Sequence, residues 1–108
     1  MKRTKSMIYK ETVESNELFL CAVNDGRIYR TMVIPVVRNL AKKYIKGTFD
    51  KDKAIDAFYP IATQEAKLYC KQYARLEDYV SVFSVTDRFT CAVDMLNYYM
   101  ENIEKNDL

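Results

Sequence analysis

Apolar residues recur along most of this 108-residue chain at spacings of three and four, and the breaks in that rhythm divide it into four stretches. The second stretch is the plainest. On a 100° wheel starting at Arg27, the residues Tyr29, Val33, Val36, Val37, Leu40 and Tyr44 gather on one side. Arg27, Arg38, Lys42 and Lys46 fall on the other. The NDG that precedes them lacks the alternating flanks of a hairpin. Asn24 or Asp25 is therefore predicted to cap a helix running to about Lys46, with Gly47 where φ turns positive. Pro35 lies inside this helix and removes one backbone bond, which should bend the helix or split it in two.

The first stretch, Val13 to Val23, reads as a short helix, with a buried strand as the alternative because the dense run LFLCAV fits either. The third begins at a cap on Asp50 and continues to about Arg75. Its apolar face carries Ile55, Phe58, Tyr59, Ala62, Ala66, Tyr69, Cys70 and Tyr73, and Pro60 within it predicts a second kink. LEDYVSVF has no clear period and reads as a loop or a short turn of helix. Ser84 and Asp87 then stand three apart, a capping box with Asp in place of Glu, before a last helix from about Val85 to Ile103. Phe89, Ala92, Leu96, Tyr99 and Ile103 share its apolar side; Asp94, Asn97, Glu101 and Glu104 hold the polar one. The expected fold is all-α: one compact domain of about four helices, two of them kinked, with residues 1–12 and 104–108 flexible.

Composition narrows the class. The chain is 49% hydrophobic and 30% charged with only two glycines and two prolines, which suits a globular helical protein and not a disordered one. No apolar run approaches the ~18 residues of a membrane span, and the basic start MKRTKSMIYK is not followed by an apolar signal-peptide core. A cytoplasmic protein is expected. Cys21, Cys70 and Cys91 are odd in number, far apart and set among apolar neighbours, as reduced core thiols would be. With no histidine and no C-x-x-C pair, the usual zinc ligand sets cannot be assembled in one chain.

Three segments, NDGRIY, KKYIKGTFDKDKAIDAFYPIATQEAKLYCKQY and FSVTDRFTCAVDMLNYYMENI, resemble a group of small uncharacterised proteins of bacteriophages and other mobile elements. The resemblance covers roughly residues 16–103. That group has no assigned activity, so no catalytic or binding residue carries over. What it implies is a setting, a phage or mobile-element protein acting inside a bacterial cell. The chain departs from the group's pattern at Gly26, where an acidic residue is expected, and at its two mid-helix prolines.

The residue inventory rules out most catalytic arrangements. Without histidine there is no Ser-His or Cys-His dyad, and two glycines cannot form a phosphate-cradling loop. Carboxylates are scattered over polar faces, and the pairs Asp50 with Asp52 and Glu77 with Asp78 look like a helix entry and a loop. No enzyme activity and no cofactor or metal is expected.

Charge is more informative. Residues 1–53 hold 12 Lys or Arg against 6 Asp or Glu, whereas residues 54–108 hold 5 against 9. Arg38, Lys42 and Lys46 stand at i, i+4 and i+8, and Lys67, Lys71 and Arg75 repeat that spacing. Basic residues interleave with Tyr29, Tyr69 and Tyr73, yet these rings lie on the apolar faces, so a solvated basic face over a tyrosine-rich core is the first reading. Nine tyrosines and five phenylalanines exceed what a small core hides. The adjacent Tyr98 and Tyr99, with Met95 and Met100 nearby, form the candidate partner-binding patch, the alternative being tyrosines whose hydroxyls simply reach the rim of the core.

The expected function is that of a non-catalytic helical protein binding a protein partner, from a host or as a homo-oligomer. The resemblance implies an accessory factor that modulates a host process, such as a counter-defence inhibitor. The alternative is a small nucleic-acid-binding module that sets Arg38, Lys42, Lys46, Lys67, Lys71 and Arg75 against phosphate. No membrane role is expected.

Overall fold

The structure, a computed structural model, describes residues 8–74 and 78–108. Its regular elements among those residues are all helical: α1 (Val13–Asn24), α2 (Gly26–Ile28), a π-helical segment (Tyr29–Val33), α3 (Ile34–Lys46), α4 (Lys51–Tyr69), a second π segment (Cys70–Ala74), a 3₁₀ turn (Tyr79–Ser81) and α5 (Val85–Lys105). The first apolar stretch is thus a helix and not a strand. Arg75, Glu77 and residues 1–7 of the expected flexible terminus lie outside the described residues.

α1, α2, α4 and α5 each start where a side chain can take unpaired N–H groups. Thr12 caps α1 in a reciprocal box with Ser15, each backbone N–H reaching the other's hydroxyl at 2.9 Å. Asp25, one of the two residues expected at this point, caps α2 through the N–H groups of Arg27 and Ile28. Asp50 caps α4 in the same way through Asp52 and Lys53. Ser84 and Asp87 form the capping box of α5. At the far end of α3, Gly47 adopts φ 77°, and Thr48 N–H bonds back to Lys43 O at 2.9 Å.

α2, the first π segment and α3 run on without a break. Tyr29 N–H bonds to Asp25 O, and Ile34 N–H reaches five residues back to Tyr29 O. Pro35, which has no N–H to give, is the second residue after this wider turn.

α5 is the central element, with α1, α3 and α4 packed on it. Phe58, Ile61, Phe83, Leu18, Met95, Leu96 and Ile103 are fully buried between them. Six consecutive residues of α5, Asp87 to Ala92, are buried, so this stretch of more than one and a half turns is covered on every side. Part of the cover is the extended segment before α1. There Lys10 N–H donates to Thr90 Oγ1 at 2.9 Å, and the Tyr9 hydroxyl to Asp94 Oδ1 at 2.9 Å.

Arg88 is only 7% exposed. Its guanidinium lies over the rings of Tyr79 and Tyr59, 5.2 and 5.5 Å from their centroids. It donates to Ser84 O and Thr63 Oγ1, so burial leaves it both stacked and hydrogen-bonded.

Candidate partner-binding surface

Adjacent residues on a helix point about 100° apart, and this separates Tyr98 from Tyr99. Tyr98 is 56% exposed and Tyr99 only 4%. Met95 is fully buried and Met100 half-buried against the core. Of the expected patch, then, Tyr98 alone presents a broad surface. Tyr99 and Met95 belong to the core because both lie on the side of α5 that faces its neighbours.

The exposed ring is nonetheless held in place. Tyr98 meets Tyr99 edge-on at 4.9 Å and Phe19 of α1 edge-on at 5.8 Å. Tyr99 in turn stacks on Phe58 at 6.1 Å and leans on Tyr29 at 6.3 Å. Phe19, Tyr98, Tyr99 and Tyr29 make one continuous line of rings running from α1 across α5 to the start of the first π segment. An open cleft of about 460 Å³ lies beside them, bordered by Tyr29, Tyr98, Tyr99, Asn24 and Asn102. Burial, with the neighbouring Tyr98 and Tyr29, pushes the Tyr99 hydroxyl up to about 12, so it stays a neutral donor.

The turn at Asn24, Asp25 and Gly26 separates this cleft from a second one of about 510 Å³. Cys21, Asp25, Arg27, Glu65, Gln72 and Tyr73 line that second cleft. Glu65 is 6% exposed on the core face of α4, and no donor reaches its buried Oε2 among the described residues. Burial first, and then Asp25, push its carboxyl up to about 8. Burial also works against an ionised Asp25. The Glu65 carboxyl, the N–H groups of Ile28 and Arg27 and the Arg27 charge outweigh it and hold Asp25 below the usual range. The two environments therefore favour a proton on Glu65 over one on Asp25.

The remaining aromatic and thiol residues divide between core and surface. Tyr73, read from its spacing as a core ring, is 68% exposed at the rim of the second cleft. Tyr44, also placed on an apolar face, is exposed and rests edge-on against Phe49 at 5.9 Å. Tyr29 and Tyr69 are half-buried beside the core, and all three cysteines are free. Cys70 and Cys91 are buried, but Cys21 stands at the cleft and not in the core.

Arg38, Lys42 and Lys46 are exposed along one side of α3. Lys43 and Lys53 border a hollow of about 200 Å³ at the end of that helix, adding charge that the i, i+4 spacing did not select. Lys67 and Lys71 are exposed too, with the Lys67 ammonium 5.4 Å from the Tyr79 ring centroid, while Arg75 is outside the described residues.

Among the described residues no group of three or more Cys, Asp or Glu side chains is placed to hold a metal ion. No helix among them is long and apolar enough to cross a membrane. No protein-family model, curated protein or solved structure matches the chain.

Glu65 and Arg88 were not singled out from the sequence, although a signal was there. Glu65 stands four residues after Ile61 and three after Ala62, within the apolar stripe, and Arg88 adjoins Phe89 and precedes Cys91 by three. A charge at such a register position is either paired inside or lines a cleft.

Proposed function

We propose that the protein acts without catalysis, by binding a protein partner on the surface around Tyr98. One observation carries this reading: a ring more than half exposed is clamped edge-on by Phe19 and Tyr99 beside an open cleft. An aromatic side chain already ordered in the free protein loses little entropy on binding, and Tyr is enriched at the centres of interfaces. An accessory factor of a phage or mobile element, such as a counter-defence inhibitor, is the form of this role that the resemblance alone suggests. The test is affinity capture from nuclease-treated bacterial lysate, run beside sedimentation of the pure protein to register self-association. A discrete protein, or a dimer, that is present with the parent and lost with Tyr98→Ala supports the reading. Recovery by Tyr98→Ala and by Phe19→Ala equal to that of the parent overturns it.

The exposed row Arg38, Lys42 and Lys46 favours a second reading, binding of nucleic-acid phosphate along α3. Here affinity falls steeply as salt rises and is lost on charge reversal at Lys42 and Lys46. Tyr98→Ala leaves it intact.

A further inference from the structure

Glu65 raises a problem that the Tyr98 surface does not touch. A carboxyl on the buried face of a helix ordinarily has its oxygens met by N–H or O–H groups. Here the Glu65 Oε2 is shut off from solvent and has no such donor among the described residues, and the neighbour that acts on the Glu65 carboxyl is another carboxyl, Asp25. Both residues line the same open cleft of about 510 Å³, a size that suits a small molecule or a single long side chain.

We propose that this cleft is a binding site for an organic cation, an alkylammonium or a guanidinium, seated against the Asp25 and Glu65 carboxyls.

The surroundings fit such a group. The Asn24 amide nitrogen is committed to Leu20 O at 2.8 Å, which leaves its oxygen as an acceptor at the cleft. Gln72 supplies a second amide, and the exposed Tyr73 ring offers a π face, which attracts cations. The hydrocarbon of Leu68 lines the wall and would take the alkyl part of the ligand. Arg27 stands at the rim, and its charge helps to hold Asp25 ionised.

A cation brings donors and a positive charge together. It would sit against the Asp25 carboxyl and the part of Glu65 that lines the cleft, and take over the role of the proton, which would leave Glu65 for solvent as the ligand enters. Binding is therefore coupled to pH. The groups acting on Glu65 or acted on by it are Cys21 of α1, Asp25 of the turn and Cys91 of α5, and Arg27 of α2 acts on Asp25. Burial raises both thiols, so neither competes as an anion near neutral pH.

Agmatine, which carries a guanidinium and an ammonium, is the first probe; butylurea is its neutral counterpart and a Gly-Arg-Gly peptide stands for a partner's side chain. Isothermal titration of the full chain in two buffers of different ionisation heat reads affinity and proton release, and side-chain amide NMR of Asn24 and Gln72 reads the location. Because Glu65 titrates near 8, its ionised fraction rises about tenfold between pH 7 and pH 9, and agmatine affinity should rise by about that factor with release of a proton. Glu65→Gln should lose that pH dependence and weaken binding at pH 9 by tenfold or more. Asp25→Asn, which keeps a capping oxygen for α2, should weaken it as well. Tighter binding of agmatine than of the peptide points to a free amine, and the reverse to a partner's Arg or Lys. No binding of either cation at pH 9, equal binding of butylurea, or unchanged affinity in both variants overturns the proposal.

Discussion

The hydroxyl of Thr12 donates to Asp87 Oδ1 at 2.7 Å, and that bond ties the N-terminus of α1 to the N-terminus of α5. Each residue already belongs to the capping box of its own helix. Thr12 Oγ1 accepts from Ser15 N–H, and Asp87 Oδ2 accepts from Ser84 N–H. Two local capping boxes are thereby joined into one network across 75 residues.

Thr12→Val keeps the shape and removes the acceptor and donor together. The loss of one cap costs about 1 kcal/mol, and the unmet Oδ1 of the buried Asp87 adds about 1–2. Asp87→Ala costs about 2–3 kcal/mol. In urea unfolding the double variant should cost less than the sum of the two by 0.5 kcal/mol or more, since both changes break the same network. Strict additivity would show that the two caps act separately.

Stability should fall as pH rises from about 4.5 to 8. The folded Glu65 carboxyl is raised to about 8 from an ordinary value of 4.5, so its stabilising contribution is full below the unfolded value and is gone once pH passes the folded one. The slope from this residue is at most about 1.4 kcal/mol per pH unit. Asp25 is lowered, so its contribution has the opposite sense and is lost only in acid, below its ordinary value of 3.8. The Tm difference between the parent and Glu65→Gln, measured from pH 4.5 to 9, isolates the Glu65 part. A difference that stays constant over that range contradicts the raised carboxyl.

The helices were legible because their causes are local. Asp25, Asp50, Ser84 and Gly47 mark helix ends with their own side chains or φ, and the face of Phe89, Ala92, Leu96, Tyr99 and Ile103 is buried throughout. What spacing could not supply is how wide each covered face is. Tyr73 and Tyr44 sit in register with core residues yet are exposed: Tyr73 lies in the second π segment, whose wider turn departs from the α-helical period, and Tyr44 lies in the last turn of α3. At the start of α5 the error runs the other way. Asp87, Arg88 and Thr90 are polar and still buried, because the chain before α1 and the residues around the 3₁₀ turn close over them. The two clefts depend on how the 24–26 turn sits between α4 and α5, which no single stretch encodes.

Arg88→Lys should destabilise the fold by about 1–3 kcal/mol although the charge is kept. A lysine ammonium cannot lie flat between Tyr59 and Tyr79 while also reaching Ser84 O and Thr63 Oγ1. Arg88→Met should be no worse than the lysine, since it removes the need to satisfy a buried charge. Chemical denaturation of the two variants side by side decides this. A lysine variant as stable as the parent would mean that the stacked geometry contributes nothing.

The neighbours Tyr98 and Tyr99 should separate cleanly when each is cut back to alanine. Tyr99 packs on Phe58 and is almost wholly enclosed, so Tyr99→Ala opens a cavity at the centre of α5 and should cost about 3–5 kcal/mol. Tyr98 keeps more than half of its surface in solvent and loses only its edge contacts with Phe19 and Tyr99, a change of about 1 kcal/mol. A binding surface behaves in the opposite order: the residue that matters less to folding should matter more to the partner, by 2 kcal/mol or more if Tyr98 is central to the contact. Thermal unfolding gives the first ranking, and partner affinity at a temperature where Tyr99→Ala is still folded gives the second. If Tyr98→Ala leaves both stability and affinity at parental values, the ordered ring serves neither purpose and the partner surface lies elsewhere on the protein.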